Sequence, residues 1–135
     1  MAVKLHSGEC LCGGVRYVVN GELRDVVVCH CSRCRRTHGH VAAYTACAAK
    51  DLDVVADTTL VWYQSDGRVR GFCNRCGASV FWQAFDRPTV SIAAGTLDEP
   101  TGLRSPAQHR FEVVPRRSDV DGQLRRGLVE QLEVA

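Results

Sequence analysis

A chain of 135 residues can hold one modest hydrophobic core but not two, so a single domain over residues 1–135 is expected. The formal net charge of +2 is too small for the concentrated basic face that phosphate binding requires, which makes a nucleic-acid partner unlikely on composition. No segment is long and apolar enough to cross a bilayer, and the stretch from Met1 to Cys10 lacks the apolar run of a signal peptide, so no membrane partner and a reducing, cytoplasmic setting are expected.

The chain reads as a run of short strands. Val15 to Val19 alternates and stops at the turn signal Asn20-Gly21. Arg24 to Cys29 carries three consecutive valines into a group of cysteines. Further strands are expected over Val41 to Ala49, Thr59 to Gln64, Val69 to Cys73, Ser79 to Gln83, Thr89 to Ala94 and His109 to Val114. Their punctuation by Gly, Asp and Pro at intervals of roughly 8–12 residues predicts an all-β domain of short strands. Helix signals are few. Ser32 to His38 suits a turn or two, stopped by Gly39, and the tail beyond Ser118 holds a short helical pattern over Gln123 to Glu130 or frays.

Seven of the eight cysteines fall into three groups: Cys10 and Cys12; Cys29, Cys31 and Cys34; Cys73 and Cys76. In a reducing compartment such spacing points to metal thiolates rather than disulfides. Side chains at i and i+2 of a strand share a face, so Cys10 and Cys12 can present two sulfurs to one ion, whereas a direct bond between them would be strained. Cys73-Asn74-Arg75-Cys76-Gly77 has the form of a zinc knuckle, in which backbone N–H groups turn back on the sulfurs and Gly77 takes the angles that close the turn. A knuckle supplies half a tetrahedron, and the pair Cys10 and Cys12 completes it. Cys29, Cys31 and Cys34 remain, enough for a second zinc with one position open to a thiolate, a water or a carbonyl oxygen. A fourth ligand from His30, His38, His40 or Cys47 would instead close this site, and spacing leaves both arrangements open. Arg33, Arg35 and Arg36 crowd this loop and could offset the charge or hold an anionic substrate, Arg35 or Arg36 by pairing with a carboxylate, and His38 is a candidate proton shuttle. Cys47 lies in an apolar strand and reads as a small buried hydrophobe. His109 reads as a surface or satisfied histidine, and Trp62, Phe81 and Trp82 as core.

The order Gly8-Glu9-Cys10-Leu11-Cys12-Gly13-Gly14-Val15-Arg16-Tyr17, then Cys29-His30-Cys31-Ser32-Arg33-Cys34, then Gly71-Phe72-Cys73-Asn74-Arg75-Cys76-Gly77 resembles the glutathione-dependent formaldehyde-activating enzyme family, which includes centromere protein V. Ser91 to Asp98 is similar to that family's later strand and turn. The resemblance covers about residues 5–114 and leaves 115–135 as a C-terminal tail. It implies a β-tent fold with two zincs, a structural one on Cys10, Cys12, Cys73 and Cys76 and a catalytic one on Cys29, Cys31 and Cys34. The implied reaction is addition of glutathione's thiol to formaldehyde, a reversible carbon–sulfur bond formation of the lyase class. Relatives of the formaldehyde enzyme tend to carry a Trp after the His-containing strand, and here His109 to Val114 runs into Pro115-Arg116-Arg117 without one.

Three functions compete at this level. The first is a zinc-dependent carbon–sulfur lyase acting on a small thiol or thiol adduct, with glutathione as one candidate. The second is a non-catalytic module with both zincs structural and a protein or nucleic-acid partner. The third, a thiol redox protein, lacks the βαβ setting in which such C-x-x-C motifs sit.

Overall fold

The computed structural model describes residues 5–105 and the backbone of 107–109. Ten strands run through them: β1 (Leu5–Glu9), β2 (Arg16–Asn20), β3 (Val27–Cys29), β4 (Ala42–Ala48), β5 (Leu52–Ala56), β6 (Leu60–Ser65), β7 (Arg68–Cys73), β8 (Ser79–Ala84), β9 (Thr89–Ala93) and β10 (Ala107–His109). One α-helix, α1 (Ser32–His38), follows β3. The fold is all-β, as the strand punctuation predicts. Residues 110–114 of the expected last strand and the patterned tail lie outside the described residues.

The strands form two sheets, a small one in the order β1-β2-β5 and a large one in the order β10-β3-β4-β9-β8-β7-β6. Every pairing is antiparallel except β10 with β3, which is parallel. Asn20-Gly21 does end β2, but no hairpin forms there, because β2 is flanked by β1 and β5 and the chain crosses to the large sheet at β3. The sequence reading assigns no strand to Leu5–Glu9 or Leu52–Ala56. The first, Leu-His-Ser-Gly-Glu, has no β-branched or aromatic residue and holds its place through pairing with β2.

The register sorts the large sheet into two faces. Residues directly opposite one another share a face, so Thr45, Ile92, Phe81, Gly71 and Trp62 make one cross-strand row. This row looks toward the small sheet. Val15, Tyr17 and Val19 pack with Phe81, Val90, Ile92, Cys47 and Cys73 to form the core. Tyr17 meets Phe81 edge-on, with ring centroids 5.3 Å apart, and its hydroxyl bonds Thr96 Oγ1 at 2.7 Å. Cys47 is buried here as expected, and burial pushes its thiol up to about 11. Trp62 departs from the expectation of a core residue: it stacks over Phe81 but stays 44% exposed on β6, the edge strand of the large sheet. The opposite row is Ala46, Ser91, Trp82, Arg70 and Tyr63. Trp82 therefore points away from the core, a second departure, and this outer face carries the candidate site.

Candidate functional site

All eight cysteines are free thiols. The sulfurs of Cys10, Cys12, Cys73 and Cys76 lie within 4.8 Å of one another. Cys10 and Cys12 sit in the turn after β1 and not on one strand face, as the sequence suggested. The Gly13 N–H closes on the Cys10 carbonyl at 3.1 Å, and that turn brings the two sulfurs to 3.7 Å. The loop from β7 to β8 supplies the other pair, with Gly77 at φ 79° donating its N–H to the Cys73 carbonyl at 2.8 Å. The Cys12 and Cys73 sulfurs are 3.5 Å apart. A tetrahedral ion with bonds of about 2.3 Å sets its sulfurs about 3.8 Å apart, so this group fits a metal.

Donors gather around these sulfurs. The N–H groups of Arg75 and Cys76 both reach Cys73 Sγ at 3.4 Å, and the Val15 N–H reaches Cys10 Sγ at 3.3 Å. The Thr59 hydroxyl, 3.2 Å from Cys73 Sγ, and these backbone donors bring the Cys73 thiol down to about 5. Arg75 Nε donates to Cys12 Sγ at 3.3 Å and lowers that thiol as well. The sequence reading passed over Thr59, which lies fourteen residues before its partner, and over Arg75, which stands inside the knuckle itself.

The sulfurs of Cys29, Cys31 and Cys34 form a second group within 4.8 Å. Cys29 ends β3. Cys31 caps α1, its sulfur accepting the Cys34 N–H at 3.4 Å, and Cys34 sits in the first turn of that helix. Gly39, at φ 84°, ends the helix where the sequence places its stop. Burial opposes ionisation of both Cys31 and Cys34. The Cys34 N–H brings Cys31 below its ordinary value, while the neighbouring sulfurs add to the rise of Cys34. A cation held among these sulfurs would offset the negative charge that clustered thiolates bring together. Among the described residues, neither His30, His38, His40, Cys47 nor any carboxylate joins this group. The β10–β3 register sets the His109 backbone level with Cys29.

The triad opens on a cavity of about 280 Å³. Arg24, Arg33, Arg68, Arg70 and Arg87 line it with Tyr44, Trp82 and Ser91. Arg35 and Arg36 are not among the lining residues: Arg36 is exposed and Arg35 half-buried on α1. His38 stands behind the wall, its Nε2 2.8 Å from the Tyr44 hydroxyl. Burial lowers its pKa, and the charge on Arg70 adds to that. Arg68 and Arg70 alternate on β7 and could be read from sequence as one polar face; Arg24 and Arg87 come from loops and carry no such signal.

No helix among the described residues is long and apolar enough to cross a membrane. A family model described as glutathione-dependent formaldehyde-activating enzyme matches residues 5–113. Among solved structures, the chain is similar to a Rhodobacter sphaeroides protein known from a crystal structure. The two are 27% identical with a TM-score of 0.59, over 74% of this chain and 99% of that one. With the family match spanning most of its length, and with both cysteine groups assembled as described, the chain belongs to the glutathione-dependent formaldehyde-activating enzyme family.

Proposed function

We propose that this chain is a zinc-dependent carbon–sulfur lyase that joins a thiol to a small aldehyde and separates the adduct again. The family's description makes glutathione and formaldehyde the first candidates. Cys10, Cys12, Cys73 and Cys76 would hold a structural zinc, and Cys29, Cys31 and Cys34 a second one. All-sulfur donor sets suit zinc. At the triad, zinc supplies a Lewis-acid position that favours the thiolate form of an incoming thiol. The observation that carries the proposal is the grouping of three sulfurs, with no further described ligand, on the wall of a cavity.

The chain's own residues do the remaining work. The arginines of the wall hold an anionic substrate by its charged end and set its sulfur toward the triad. When the thiolate sulfur attacks the aldehyde carbon, the carbonyl electron pair moves to oxygen, which needs a proton. Tyr44 lines the cavity and its hydroxyl lies 2.8 Å from His38 Nε2, so neutral His38 takes up through Tyr44 Oη the proton that the thiol gives up on becoming a thiolate, and the pair hands it on to the carbonyl oxygen. In the cleavage direction Tyr44 takes the proton back as the carbon–sulfur bond breaks.

Cobalt-substituted protein tests this. Adding a thiol should change the spectrum of one of the two ions, and adding formaldehyde should then speed the loss of free thiol, both effects vanishing in Cys31→Ser. His109→Ala should leave the thiol response in place. If no thiol disturbs either ion, or if His109→Ala loses the second ion, the site is closed and the chain is a metal-stabilised module without this chemistry.

A further inference from the structure

Apart from the cysteine triad, the cavity wall concentrates positive charge without a carboxylate counterpart. Five guanidiniums line it, and no Asp or Glu does. Of the five, only Arg33 is in an ion pair among the described residues, with Asp66 at 3.3 Å. Arg24 and Arg68 donate to backbone carbonyls, of Tyr44 and Asp66, and neither has a carboxylate partner among the described residues. Arg70 sits within β7, flanked by β6 and β8, and its Nη1 is buried with no hydrogen-bond partner. A buried guanidinium nitrogen left in that state is costly unless something in the cavity accepts from it.

This arrangement bears on what the thiol carries besides sulfur. Glutathione brings two carboxylates but also an ammonium, and an ammonium needs a carboxylate or an open aromatic face. The cavity offers no carboxylate. Its indole, Trp82, is the cross-strand partner of Arg70, so the place a cation would seek is beside a fixed cation. Like charges held close in a partly enclosed site repel strongly.

We infer that the cavity selects a thiol bearing at least two anionic oxo-acid groups and no ammonium, held by Arg24, Arg68, Arg70 and Arg87. This rests on the proposed thiol chemistry for where the sulfur goes, but not for the anion recognition itself. These four come from the loop before β3, from β7 and from the loop after β8, whereas Arg33 is the one lining arginine on the helix that carries Arg35 and Arg36.

Two sets of probes separate the parts. Without any sulfur, succinate should bind the zinc-loaded protein in calorimetry at least about tenfold more tightly than acetate or the zwitterion β-alanine, and high salt should erase the preference. With sulfur, mercaptosuccinate should perturb the cobalt spectrum at lower concentration than mercaptopropionate, and N-acetylglutathione at lower concentration than glutathione. Arg70→Gln should shrink the mercaptosuccinate-to-mercaptoethanol preference about tenfold. Arg87→Gln, at an exposed loop position that the fold does not depend on, should shrink it severalfold. Equal binding of succinate and β-alanine, or glutathione outcompeting its N-acetyl form, overturns the inference while leaving the thiol chemistry standing. Succinate binding with no spectral response to any thiol does the reverse.

Discussion

Cys47 shows how burial separates a cysteine from its seven neighbours in composition. It faces Val90 across β4 and β9 within the core, where its thiol is pushed up to about 11 and has neither partner sulfur nor exposure. A ligand role would require it to ionise, and its surroundings oppose that. Cys47→Ala should therefore keep the metal content unchanged while costing about 1–2 kcal/mol of stability from lost packing. Cys47→Ser should cost more, because it buries a hydroxyl among apolar groups. Metal analysis beside denaturant midpoints checks both, and a lost ion in either variant would make Cys47 a ligand.

Among the elements, α1 is the most conditional. It has seven residues and none of them is buried, so little but its cysteines and the His38–Tyr44 bond holds it to β4. Burial and Arg70 hold the His38 pKa below its ordinary value near 6.5. The unfolded chain thus takes up the proton first as pH falls. The stability this histidine contributes is complete above about pH 6.5 and is lost as pH drops through its folded pKa. His38→Asn should flatten that part of the stability-against-pH curve, read as the difference between variant and parent midpoints from pH 5 to 8. A difference that stays constant over that range would mean that His38 is not buried against Tyr44 in solution. The helix itself was legible in the sequence, because Gly39 as its stop is a local signal. Strand β1 was not, since a strand without β-branched or aromatic residues exists only through its pairing.

For the molecule as a whole, the two cysteine groups have different structural reach. The four-cysteine group joins the β1–β2 turn of the small sheet to the β7–β8 loop of the large one, and so ties the two layers that enclose the core. The triad lies between the end of β3 and α1, within one layer. Cys76→Ser should therefore unfold the chain, since the structural zinc proposed for this group would supply on the order of 10 kcal/mol of apparent folding energy. Cys31→Ser should lose one ion and keep the β circular dichroism and a cooperative transition. Two variants that unfold alike would remove this distinction.

The grouping of sulfurs was readable in advance because ligand spacing is local: two or three residues of chain bring a pair together in whatever fold surrounds it. The all-β character followed from strand punctuation for the same reason. The arginine wall was not readable. Arg24, Arg68, Arg70 and Arg87 meet only because β3, β4, β9, β8 and β7 lie side by side in that order, with a register that turns Arg70, Trp82 and Ser91 to one face. Of the arginines nearest the triad in sequence, Arg33 lines the cavity, whereas Arg35 and Arg36 are not among its lining residues. Metal ligation is a property of short segments, whereas the choice of substrate belongs to a sheet face, and a sheet face is created by long-range pairing.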